Sequence, residues 1–88
     1  MSGGINGELK GFYFGGIDPT MRKEIEDILN MVRKVDGIVT VDPVTGPYDF
    51  IATGKAYGID GVNALKTSIQ CVKGVTNCLQ CYSISAKQ

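Results

Sequence analysis

The chain repeats itself once. A shift of 37 residues lays Ile25 on Val62, Ile28 on Leu65, Val32 on Ile69 and Val35 on Val72. The same shift carries Gly37 onto Gly74 and Ile38 onto Val75. Within each set the apolar residues recur every three or four positions, the spacing that draws a stripe down one face of a helix. Each stripe leaves through a valine, a polar residue, a glycine and a β-branched residue. Two copies are too few for a solenoid. The pattern predicts one supersecondary unit used twice.

The ends of the two helices are marked. Asp18 can accept from free backbone N–H groups, and Pro19 suits the first helical position. Met21, Ile25, Ile28, Leu29 and Val32 form the predicted buried face. Arg33 and Lys34 complement the dipole in the last turn, and Gly37 supplies a left-handed stop. The second helix is expected to start at Asp60 and run through Val62, Leu65, Ile69 and Val72 to Gly74. Strands fill the gaps, at residues 9–17, 38–44, 48–57 and 75–84. Pro43 confines the second strand to a sheet edge or a bulge. The order β-α-β-β-α-β is the ferredoxin-like arrangement, an α+β fold with two helices on one face of a four-stranded antiparallel sheet.

Strand alternation describes the other face. It sets Leu9, Gly11 and Tyr13 against Phe12 and Phe14, and Phe50, Ala52 and Ala56 against Ile51, Thr53 and Tyr57. Neither row is polar, whereas an antiparallel sheet with one wet face shows a polar row. A contiguous apolar patch marks an interface, so the expectation is a homodimer packed sheet against sheet, a dimeric α+β barrel. The length of 88 residues agrees with that. A single domain of this size buries roughly 60–65% of the surface of its unfolded chain and gains from a partner. Residues 1–7 are expected to form a flexible lead and residues 8–88 the domain.

Several functions are disfavoured. Nine Lys/Arg balance nine Asp/Glu, and no basic stripe suggests direct nucleic-acid contact. No apolar run is long enough to span a membrane, and the start of the chain does not read as a signal peptide. Three cysteines, an odd number, fit a reducing cytoplasm better than a disulfide framework. Cys78-Leu79-Gln80-Cys81 spells C-x-x-C, but residues three apart on a strand point to opposite faces. With no histidine and only Cys71 left over, no metal site is expected, and the pair reads as buried small hydrophobes. Gly54-Lys55 lacks the rest of a phosphate loop. No nucleophile has an obvious base, so catalytic residues and cofactors are expected to be absent.

One segment stands out. Asp49 heads an apolar run directly after Gly46-Pro47-Tyr48, and a carboxylate at a tight turn either bonds nearby backbone N–H groups or helps to build a site. Residues from about 8 to 84 resemble the effector (RAM) domain of the Lrp/AsnC regulator family. The resemblance rests on Val44-Thr45-Gly46-Pro47-Tyr48-Asp49, similar to the family's V-x-G-x-[YF]-D, and on Lys73-Gly74-Val75, similar to its P-G-V.

The resemblance implies dimers that join through their sheets, assembly into a higher-order ring, and a free amino acid or similar metabolite held between dimers. Asp49 would accept from the ligand's ammonium or from backbone amides shaping the cleft. Gly46 would admit the main chain, and Tyr48 would wall the pocket. Only about eight residues precede the first strand, so the implied form is a stand-alone effector domain without a helix-turn-helix. A full-length Lrp/AsnC regulator is then a partner through shared interfaces. Cys78 and Gln80 stand where the family often has two threonines. A purely structural oligomerisation module and a small dimeric enzyme remain the alternatives.

Overall fold

The structure is a computed structural model that describes residues 7–83. Most of the expected lead and the end of the expected fourth strand, Ile84 included, lie outside the described residues. The longest strand, β1 (Glu8–Ile17), alternates accessible and buried positions from Glu8 to Gly15 and stays buried through Gly16 and Ile17. It lies inside the sheet. β2 (Ile38–Pro43), β3 (Phe50–Tyr57) and β4 (Val75–Tyr82) complete an antiparallel sheet in the order β2-β3-β1-β4. β2 is an edge strand, where Pro43 withdraws no donor from a central ladder. Helices α1 (Ile25–Arg33) and α2 (Gly58–Gln70) connect the strands, so the fold is the expected α+β, ferredoxin-like one.

The core forms between the helices and one sheet face. Leu9, Tyr13 and Ile17 of β1 join Val41, Phe50, Ala52 and Cys78, and meet Ile28, Leu29 and Val32 of α1 and Val62, Leu65 and Ile69 of α2. Tyr13 is fully buried, and its hydroxyl donates to the Val62 carbonyl at 3.0 Å. Burial, assisted by the adjacent Cys78 thiol, pushes the Tyr13 phenol up to about 12. A Cβ at Gly15 would run into the Phe50 ring, so that glycine makes room for the largest buried side chain of β3.

The repeat in the sequence is a repeat in geometry. Gly37 and Gly74 have φ of 100° and 101°, values that L side chains rarely adopt. The Ile38 N–H donates to the Val35 carbonyl and the Val75 N–H to the Val72 carbonyl, each at 3.1 Å. The two helices therefore hand over to their strands in the same way.

α2 ends at Gln70, short of the expected Gly74, and three element starts differ from expectation by two residues or more. Asp18 does cap, accepting from the Thr20 N–H at 2.9 Å and the Thr20 hydroxyl at 2.8 Å. These bonds hold its carboxyl below the usual carboxylate range. What it opens is a 3₁₀ helix, Pro19–Glu24, because the Met21 N–H bonds the Asp18 carbonyl three residues back and Met21 leaves helical geometry (φ −114°, ψ 21°). The α-helix proper starts at Ile25. α2 starts at Gly58 instead of Asp60, with the Gly58 N–H held by the Gly7 carbonyl at 3.0 Å. β3 starts at Phe50 instead of Tyr48, because residues 44–49 form a separate loop.

The helix-free face is the apolar one anticipated. Phe14 lies opposite Ile51 on one side and Leu79 on the other, and Phe12 lies opposite Thr53 and Cys81. Phe12, Phe14 and Ile51 are half-buried; Leu79 is 49% exposed. Thr40 and Thr53 share a hydrogen bond of 2.6 Å toward the β2 edge, and the Lys10 ammonium lies 5.3 Å from the Phe12 ring centroid. The expectation of two buried cysteines needs correction. Cys78 faces the helices and is buried, and burial pushes its thiol up, whereas Cys81 faces the open side and is exposed. The alternation that separates the C-x-x-C pair onto two faces is also what leaves Cys81 uncovered.

Candidate functional site

The β2–β3 loop is closed by a backbone bond, the Val44 N–H donating to the Asp49 carbonyl at 3.0 Å. The Asp49 N–H donates to the Gly15 carbonyl at 2.8 Å, which fastens the loop to β1. The β1–β3 residue pairing ends there, at Gly15 opposite Phe50. Two residues further along β1 the Ile17 N–H points the same way with no strand left to receive it. Asp49 Oδ2 accepts it at 2.7 Å. The carboxylate thus continues the ladder past the end of the strand. Its other oxygen, Oδ1, pairs with Arg22 Nη2 at 2.9 Å, on the 3₁₀ helix.

Asp49 therefore ties three elements together: the hairpin, the end of β1 and the entry to α1. Its side chain is 17% exposed and that of Arg22 56%, so the hydrogen bond donated by the Ile17 N–H contributes more than the screened ion pair. A carboxylate offers about four lone-pair sites. Two are taken, and an ammonium or amide approaching from outside still finds acceptor capacity.

The other two predicted residues sit apart from Asp49. The Tyr48 ring packs on Phe14, with centroids 5.7 Å apart and planes tilted by 52°, at the end of the open sheet face. Gly46 is exposed at the tip with φ of 120°, and a Cβ there would meet nothing within 4 Å. Its glycine answers a backbone requirement, and the space beside it is open. Among the described residues of one subunit, none of the clefts found is lined by the three together. The sequence reading missed Arg22 and the Ile17 N–H. Arg22 offered no signal beyond its place in the first turn, and a backbone donor at a strand end has no sequence signature. Cys78 and Gln80 both lie on the helix-covered side of β4, where Gln80 Nε2 donates to Asn63 Oδ1 at 2.8 Å.

No protein-family model and no curated protein matches this chain. Solved structures do match. A transcriptional regulator of Neisseria meningitidis, solved as its L-Met complex, superposes with a TM-score of 0.78 at 16% identity, over 96% of this chain and 55% of that one. AsnC of Escherichia coli gives 0.76 at 15% identity, over 97% and 55%. A protein of Thermus thermophilus gives 0.76 at 16% identity, over 91% of this chain and 98% of its own. The chain thus spans about half the length of the regulators and nearly all of the Thermus protein. At such identities the likeness speaks for the backbone arrangement: this chain has the fold that Lrp/AsnC-type regulators carry in about half of their length.

Proposed function

We propose that this chain is an assembly domain that binds an amino acid or similar small metabolite between subunits, in the manner of an Lrp/AsnC effector domain. The observation that carries the reading is the contact of Tyr48 with Phe14. It joins the hairpin, where a ligand would sit, to the open sheet face, where a second subunit would sit. Gly46, Tyr48 and Asp49 are the proposed ligand-binding residues. Because no cleft found in one subunit is lined by all three, the pocket would be completed across an interface.

On this reading residues 8–88 act as one cytoplasmic domain without catalytic activity. Subunits pair through their sheets, and the dimers close into a ring. A ligand bound across the interface favours the assembled state by mass action. That shift would be passed to a full-length regulator sharing the same interfaces, with no direct DNA contact by this chain. The regulators among the structural neighbours support this class, and two were solved with L-Met. Among the described residues no helix is long and apolar enough to cross a membrane.

Thermal unfolding and solution mass, followed while each common amino acid is added, test the proposal. A ligand at a hundredfold over its Kd adds about 2.7 kcal/mol of stability, and Asp49→Asn should remove most of that gain. A panel in which nothing moves either quantity contradicts it. One observation favours a second reading, an assembly domain without a ligand: Asp49 already holds the Ile17 N–H and Arg22. Under that reading Asp49→Asn lowers stability equally with and without added amino acids.

A further inference from the structure

The two edges of the sheet are finished differently. On β2 the bond from the Val44 N–H to the Asp49 carbonyl sets the phase of the ladder. Thr40 and Asp42 therefore bond β3, while Val41 and Pro43 turn their backbone groups outward. Those outward groups are guarded. Pro43 has no N–H to offer, and the Val41 carbonyl accepts from Arg33 Nη2 at 3.1 Å. Asn30 Oδ1 accepts from Arg33 Nη1 at 2.8 Å and so holds the guanidinium in place. The register shift between Ile38 and Thr40 interrupts the edge further.

β4, at the opposite edge, carries no such device. The Ser83 N–H donates to the Lys10 carbonyl at 2.8 Å, so Cys81 and Leu79, opposite Phe12 and Phe14, bond β1 in their turn. Cys78, Gln80 and Tyr82 turn their N–H and carbonyl groups outward, and among the described residues no hydrogen bond meets them. The strand contains no charged residue and no proline, and its register shift comes before Cys78. The Gln80 side chain is drawn toward α2, where Nε2 donates to Asn63 Oδ1 at 2.8 Å. A bare edge of this kind is a template for another strand.

We propose that β4 pairs antiparallel with β4 of a second copy, and so joins the face-paired dimers of the reading above, on which this contact rests. A two-fold axis beside Gln80 sets that residue against its own copy and Cys78 against Tyr82 of the partner subunit. All the outward N–H and carbonyl groups of the three residues are then paired. Such a contact brings each side chain close to its copy, where a charge would meet its like. The uncharged strand has none to meet. On the helix-free side the same register lays Leu79 beside Cys81 of the partner subunit. The apolar row through Phe14 and Leu79 then continues into the copy, because Cys81 lies opposite Phe12 in each chain. Between single chains this joint is weak, since each backbone bond replaces one to water. A face dimer presents two such edges, and dimers linked at both close on themselves, so that each contact strengthens the next.

Sedimentation equilibrium and residue-resolved amide exchange of the purified chain test this together. The wild-type chain should have the mass of four or more chains, with the Cys78, Gln80 and Tyr82 amides exchanging as slowly as those of Leu79 and Cys81. Gln80→Pro removes an outward N–H and no bond to β1. It should reduce the mass to two and make the Cys78 and Tyr82 amides exchange about tenfold faster or more. Gln80→Ala keeps the N–H, loses the Asn63 contact and should keep the wild-type mass. The proposal is overturned if Cys78, Gln80 and Tyr82 exchange as open amides in the wild-type chain at every concentration, whether or not Gln80→Pro folds. It is equally overturned if Gln80→Pro keeps the wild-type mass. A wild-type mass of two overturns the edge contact and leaves the face pairing standing, whereas a mass of one removes the face pairing and this contact with it. Protection that appears only when another protein is added gives the edge to a foreign strand and also overturns the proposal.

Discussion

The two faces of the sheet come from the same strands, one residue apart, and meet different fates. On the helix side Tyr13, Phe50 and Ala52 are fully buried under α1 and α2. On the other side Phe12, Phe14, Ile51 and Leu79 form a row of similar chemistry with no element of the described residues above it. The first face is a completed core. The second has the composition of a core without a described cover, which is why the proposed reading sets another subunit there. The same sequence pattern thus specifies the fold of one chain and, on that reading, the face a neighbour would take.

The sharpest way to break this comparison is to truncate one aromatic on each side. Phe50→Ala empties a fully buried site and should lower the stability of the single chain by about 3–5 kcal/mol in urea unfolding. Phe14→Ala should lower it by far less and should act chiefly on solution mass. Equal losses of stability would mean that the faces do not differ.

Alkaline pH tests the helix side from another direction. The Tyr13 phenol is raised to about 12 in the folded chain, so the folded state favours its neutral form. That stabilisation is complete below the ordinary tyrosine value near 10 and is lost as pH rises from there towards 12. Unfolding at stepped pH should show the decline, and Tyr13→Phe should flatten it.

Smaller effects separate positions where glycine makes room from those where it serves the backbone. Gly15→Ala drives a methyl into the Phe50 ring and should destabilise by about 1–3 kcal/mol. Gly46→Ala meets only backbone strain at the loop tip, about 1 kcal/mol, read from the same denaturation curves. At the latch, Asp49→Ala leaves the Ile17 N–H without its acceptor and should lose about 1–2 kcal/mol. Arg22→Ala removes a half-exposed partner and should lose less than about 1 kcal/mol.

Much of the fold was legible in the sequence because its signals are periodic. The 37-residue shift located both helices and predicted matching exits, which Gly37 and Gly74 realise with nearly equal φ. Alternation sorted Tyr13 from Phe12 and Phe50 from Ile51, and Pro43 placed β2 at the edge. What escaped depends on single contacts with no period. The 3₁₀ entry follows from one bond between Met21 and Asp18, and the late start of β3 from the anchoring of Asp49 on β1. Cys81 was misjudged because a strand position records which face it takes but not whether that face is covered. The candidate site was half legible: the loop and its carboxylate were found, but the partners of Asp49 come from residues 15–22, remote in sequence.

The central claim is that the open face must be covered by another copy of this chain, and sedimentation equilibrium over a range of concentrations tests it most directly. The wild-type chain should have the mass of two or more chains. Phe14→Glu should reduce it to one while the far-UV dichroism stays unchanged. A wild-type chain that remains single at every concentration, with its Phe12–Phe14 face wetted, would contradict the account.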